Sequence, residues 1–188
     1  MPSTTMSRLL VALLVASIAL LLGANAGLAA ADRLVVTQDE SSMERAIESY
    51  LTSNHNLIVN EKMIESDDLT LEVPFKGDPM PAFRVVIDTQ PDNRDKDTNR
   101  VIERAILVVC YTSIKVPPER RGAVMDVIND YNRKKLFASV YIDTDGEIVC
   151  GWNLNVLEEG LATEYVYDAV ARVQNIWRGL YPDVSGKL

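Results

Sequence analysis

This chain is short of the residues most enzyme chemistry uses. It has one histidine, His55, among 188 residues. With no second ring, sites built on several histidines and histidine-dependent catalytic triads are excluded. His55 sits in the polar stretch Ser53-Asn54-His55-Asn56 and is expected to be exposed. The two cysteines, Cys110 and Cys150, have no His or second Cys at metal-ligand spacing, so no zinc framework is written into the chain. Neither a G-x-S-x-G elbow, a P-loop nor a G-x-G-x-x-G fingerprint occurs. Basic residues are scarce as well: 19 Lys+Arg stand against 27 Asp+Glu. Nothing in that balance neutralises phosphates, which argues against nucleic acid and against anionic membrane surfaces as partners. Carboxylates are numerous enough that counting alone leaves carboxylate catalysis open. Glu158-Glu159, Asp67-Asp68 and Glu103 read as solvated charges, because no apolar run flanks them to make a catalytic acid.

Long hydrophobic runs are absent except at the start. Arg8 is the only charge before Asp32, and Leu9–Leu22 follows as an apolar run broken only by Ser17. Small residues ending Ala29-Ala30-Ala31 complete the pattern of a secretory signal peptide. The expectation is a leader over residues 1–31, cut after Ala31, and one exported domain over 32–188, in the periplasm or secreted. Leu9–Ala31 also approaches the roughly 20 residues that span a bilayer; an uncleaved leader would tether the protein to the membrane. Gly23, Asn25 and Gly27 break its second half and favour cleavage. Without Arg8, the part from Asp32 onward carries 18 Lys+Arg against 27 Asp+Glu, a net charge of −9.

What the domain does have is clear periodicity. Leu136–Val156 contains two runs of alternating apolar residues about Thr144-Asp145-Gly146, the signature of a tight hairpin with one buried face. Val140 and Ile142 share that face with Ile148, Cys150, Trp152 and Leu154. Upstream, Leu69–Phe75 and Phe83–Asp88 alternate as two strands joined by a Gly-Pro turn, and Ile102–Val116 is a long β-branched third strand. Asn56–Asp68 reads as loop with a short extended piece at Leu57–Val59, and Gln90–Arg100 as a long polar hairpin loop.

Three segments have helical spacing. The first has Met43, Ala46, Ile47, Tyr50 and Leu51 on one face behind a Ser41/Glu44 capping box. The second opens at Pro117-Pro118-Glu119 and places Val124, Val127, Ile128 and Tyr131 inward. The last runs from Ala162 to Leu180 and is stopped by Tyr181-Pro182. The order α-β-β-β-α-β-β-α makes the fold α+β, a two-layer α/β sandwich of helices on an antiparallel five-stranded sheet.

Two acidic stretches resemble the start of a calcium loop. In Asp143-Thr144-Asp145-Gly146-Glu147 the glycine comes too early, and Leu154 stands where the last ligand should be. Asp95, Asp97 and Asn99 have the right opening spacing, but Arg100 takes the glycine place and Ile106 the twelfth. Both are expected to be turns, and no metal or other cofactor is expected.

If the inner faces are as assigned, Leu107, Val109, Tyr111, Phe137 and Tyr141 point away from the helices with Gly151 between them. That is a candidate protein-contact surface or homodimer face. The alternative is local: the aromatics fold over Gly151 and leave little apolar surface.

Val116–Asn132 (VPPERRGAVMDVINDYN), the hairpin with its Asp143–Gly146 turn and the helix ending Trp177–Asp183 together resemble the YbjN family of bacterial sensory transduction regulators. The resemblance covers roughly the last 80 residues. It implies a fold shared with class I type III secretion chaperones, and a sheet order that sets the third strand beside the fifth. Cys110 and Cys150 would then face each other and could form a disulfide; otherwise they are buried thiols. Export separates this chain from the cytoplasmic members of the family. The expected function is non-catalytic: regulation, or a stress-related role, through binding of a protein partner or of a second copy. A periplasmic chaperone-like factor for a secreted or envelope protein is the runner-up. An enzyme with an unrecognised carboxylate site stands third.

Overall fold

The computed structural model describes residues 33–65, 68–135 and 139–188. The signal-peptide segment and Phe137 lie outside the described residues. The chain divides into two units, Met1–Arg33 and Leu34–Leu188, and the second holds the folded domain. Among the described residues no helix is long and apolar enough to cross a membrane.

The strands are β1 (Arg33–Leu34), β2 (Asn60–Glu65), β3 (Asp68–Phe75), β4 (Phe83–Arg94), β5 (Val101–Lys115), β6 (Ser139–Ile142), β7 (Glu147–Val156) and β8 (Leu161–Ala162). The helices are α1 (Glu40–His55), α2 (Arg121–Lys134, after a 3-10 turn at Pro118–Arg120) and α3 (Glu164–Ser185). The main sheet has the order β2-β3-β4-β5-β7-β6, antiparallel throughout. This is the expected α+β arrangement with six strands in place of five.

Alternation decides which face is covered. Leu71 and Val73 of β3, Val85 and Ile87 of β4, Ile106 and Val108 of β5, and Ile148 of β7 point to one side and are buried. That side receives α1 over β3 and β4, α3 over β5 and β7, and α2 over β6. Each helix brings a stripe at three-four spacing: Met43, Ile47 and Leu51 from α1; Val124 and Ile128 from α2; Val166, Val170, Val173, Trp177 and Leu180 from α3. Full burial of each large side chain is worth roughly 1.5–3 kcal/mol, so this single-sided core is what holds the layers together.

The departures from expectation have physical causes. The sixth strand, β2, lies in the segment read as loop. Its Asn60, Glu61 and Lys62 are exposed on the sheet edge, where charge is tolerated and a period of two is not imposed. The arm between the second and third predicted strands is also longer than expected. β4 continues to Arg94 with its last residues exposed, and only Asp95–Arg100 remains as the loop.

The cap of α1 is Asp39, whose carboxylate accepts from the N–H and hydroxyl of Ser42, so Ser41 is already helical. At the other end of the chain, α3 passes through Pro182 to Ser185. Proline there removes one hydrogen bond in the final turn, while Val184 is fully buried and holds the turn down.

Candidate functional site

The face of the sheet away from the helices is built from the other parity of the same strands. Register sets its rungs. Val86, Val109, Gly151 and Ser139 line up across β4, β5, β7 and β6; Arg84, Tyr111, Val149 and Tyr141 form the next rung; Asp88, Leu107 and Asn153 the one on the other side. Among the described residues no helix lies over this face. Leu107, Val109, Ser139, Tyr141, Gly151 and Asn153, with Trp152, line an open groove of about 630 Å³ along it.

Gly151 is the floor of the groove. A methyl built there would meet only the Ser139 carbonyl oxygen and Tyr141 Cε1, both at 3.9 Å, an ordinary contact. Glycine is therefore not forced by packing at this position. Its missing side chain is what leaves the groove its depth. Tyr141 leans beside it with 42% of its surface exposed, while Val149 on the same face is only 1% exposed. Burial, with Tyr111, Asp143 and Cys150 nearby, raises the Tyr141 phenol above its ordinary value, so it stays a neutral hydrogen-bond donor. On the same rung the Arg84 guanidinium lies 5.0 Å from the centroid of the Tyr111 ring and 3.6 Å from Glu72 Oε2.

Three of the five candidate contact residues, Leu107, Val109 and Tyr141, therefore line one groove. Tyr111 lies on the adjoining rung under Arg84. Phe137 lies outside the described residues.

On the covered side of these strands Cys110 and Cys150 are paired in register, both fully buried and both free thiols. The hydrogen bond to Cys150, followed by burial, pushes the Cys110 thiol far up from its ordinary value. β5 meets β7 as the resemblance implied.

The acidic loops are turns. Asp143 Oδ1 accepts from the N–H groups of Asp145 and Glu147, and Gly146 closes the bend at φ +81°. Asp95 Oδ1 accepts from Asp97 N, Thr98 N and the Thr98 hydroxyl; the Thr98 bonds above all hold its carboxyl below the usual range. Each lead carboxylate is spent on its own loop. Among the described residues no three His, Cys, Asp or Glu side chains cluster as metal ligands would.

A second hollow, of about 520 Å³, lies where α2 meets the end of α3 and is lined by Asp126, Asp130, Tyr131, Lys134, Asp183 and Lys187 among others. Asp130 is bound to Lys134 and Arg133, and the Lys134 hydrogen bond lowers its pKa. This is a paired surface carboxylate, not one held protonated for acid catalysis.

Three features escaped the sequence reading. His55, expected in the open, stacks on Tyr167 at 3.5 Å and 7°, with Tyr50 tilted against it at 5.3 Å. Glu44 is wholly buried, its Oε1 accepting from the N–H and hydroxyl of Thr89 at 3.1 and 3.2 Å. Asn132 closes the free edge of the sheet: its Nδ2 donates to the Val140 carbonyl at 2.8 Å, and its Oδ1 accepts from the Val140 N–H at 3.1 Å. Glu44 could have been found, since it shares a helical face with Ile47 and Leu51; the other two depend on which elements meet.

A search of curated proteins gives no match to the chain. The groove and the cysteine pair fall within a region that matches a family model. Over residues 99–184, from the start of β5 through most of α3, the chain matches the YbjN family model, whose description is "Putative bacterial sensory transduction regulator".

Proposed function

We propose that the protein is an exported, non-catalytic regulator that works by holding another protein against the open face of its sheet. The observation that carries this reading is the groove floored by Gly151, with Leu107, Val109 and Tyr141 around it on the face away from the helices. A half-exposed aromatic beside a backbone floor is the kind of surface that seats an apolar anchor from a partner. Ser139 and Asn153 at its rim supply hydrogen-bonding groups, as the edge of a protein interface requires. The family description, a regulator, agrees with binding in place of turnover. The leader read at residues 1–31 puts the encounter outside the cytoplasm. With a net charge of −9 over residues 32–188, the partner segment that fits is apolar at its centre and basic at its flanks.

The test is capture from the native host. The full chain, tagged at its C-terminus, is expressed there, cross-linked and recovered with its partners. Three forms are compared: the unaltered protein, the double variant Tyr141→Lys/Val109→Lys, and Gly151→Ala, which adds a methyl to the floor where there is room for it. The expected result is a partner held by the unaltered protein, lost from the double variant and weakened roughly tenfold by Gly151→Ala, about 1.4 kcal/mol. A second copy as the partner would register as a doubled mass in light scattering that the same substitutions remove. Equal capture by all three forms would remove the groove from the mechanism.

A further inference from the structure

We propose that Cys110 and Cys150 are the two halves of an intramolecular disulfide that closes across β5 and β7. The two residues are direct partners in the antiparallel register, within an unbroken ladder from Arg104↔Val156 to Tyr111↔Val149. Asn132 fixes which kind of pair they are. Val140, the partner of Cys150 on β6, directs both backbone groups outward to Asn132. Cys150 therefore turns its own N–H and C=O toward β5, which makes Cys110 and Cys150 a hydrogen-bonded pair. Such pairs have Cα atoms about 5.5 Å apart, inside the range of bridged cysteines, while their Cβ atoms must draw together by about 1 Å for the bond to form. Both side chains point to the covered face, where both are fully buried.

The step balances as an ordinary thiol–disulfide exchange with a small or protein-borne disulfide as oxidant. One thiolate attacks a sulfur of the oxidant, the oxidant's bond breaks, and its first sulfur leaves as a thiol. The second cysteine then attacks the mixed disulfide and releases the other sulfur. Two electrons pass to the oxidant, and the protons of Cys110 and Cys150 end on its two thiols. With both cysteines fully buried, no oxidant reaches them in the closed sheet. The exchange belongs to the interval in folding before β7 closes on β5. Afterwards the bond is sealed beneath α3, which lies over both strands.

The experiment uses protein isolated from its native cells with free thiols trapped at lysis, then denatured without reductant and weighed. The expected result is a chain two hydrogens lighter than its reduced form, with one peptide pair joined through Cys110 and Cys150. The bond closes a loop of roughly 40 residues, so its reduction should lower the melting temperature by about 10 °C. Reduced protein refolded with oxidised glutathione should regain the bond, whereas reduced protein already folded should resist the same reagent. Full trapping of both thiols in the native isolate would overturn the proposal. So would a bond found only between chains, or equal oxidation of the folded and refolding forms.

Discussion

Glu44 is a wholly buried carboxyl whose charge state bears on the fold. The last pair between β3 and β4 is Leu71 with Ile87, and the N–H of Thr89 two residues further on goes to the Glu44 carboxylate. The other oxygen, Oε2, is buried without a partner. Burial is the main reason its pKa is raised to about 7, with Asp88 and Glu40 adding like charge. A carboxyl raised in the fold binds its proton more tightly there than in the unfolded chain. Its stabilising effect is complete below about pH 4.5 and is lost as pH rises through 7. The difference is on the order of 3 kcal/mol. Glu44→Gln keeps an acceptor for Thr89 and cannot ionise. Melting curves from pH 5 to 8 should fall with pH for the unaltered protein and fall clearly less for the variant; parallel slopes would count against a titrating Glu44. Helical spacing puts position 44 on the inner face with Ile47 and Leu51. What hid it was its side chain: a glutamate three residues after a serine reads as a capping partner, and only the fold brings Thr89 within reach.

β6 is the shortest strand of the main sheet and stands at its edge, where unpaired backbone groups invite another strand. The side chain of Asn132 carries a donor and an acceptor, as a peptide unit does, and it occupies both free groups of Val140. α2 thereby closes the edge that its own C-terminal end overlooks. Asn132→Ala leaves two half-buried backbone groups unpaired, at a cost of about 1–3 kcal/mol. Denaturant titration should show that loss, and sizing at high concentration should show self-association beyond that of the unaltered protein. An unchanged midpoint would mean that water replaces the amide at no cost. Elements with strong periodicity, such as α3 and the β6–β7 hairpin, were legible because burial on one face repeats in the sequence. β2 was not, since an exposed charged edge imposes no period. The end of α3 was misread because Pro182 marks a stop only where nothing pulls the next turn down, and Val184 does.

Across the molecule the two faces of the sheet differ. One is sealed by three helices; the other carries the groove. Parity alone separates them, and three of the proposed contact residues do line one groove. Depth was beyond such reasoning: Val149 is covered between Tyr111 and Tyr141 on its rung, while Tyr141 stands open on the edge strand. The helical face has its own seam. α1 lies on the β3–β4 half and α3 on the β5–β7 half, and His55 at the end of α1 stacks on Tyr167 of α3. As the only histidine in the chain, it gives the protein a single imidazole signature in proton magnetic resonance. Tyr167 lies against it almost face to face, so its ring current should move those lines upfield of a free histidine. Tyr167→Leu should move them back downfield, short of the free position because Tyr50 still lies 5.3 Å away, while the rest of the spectrum holds. Those lines would then report, without any added label, whether the two halves of the molecule are closed on each other.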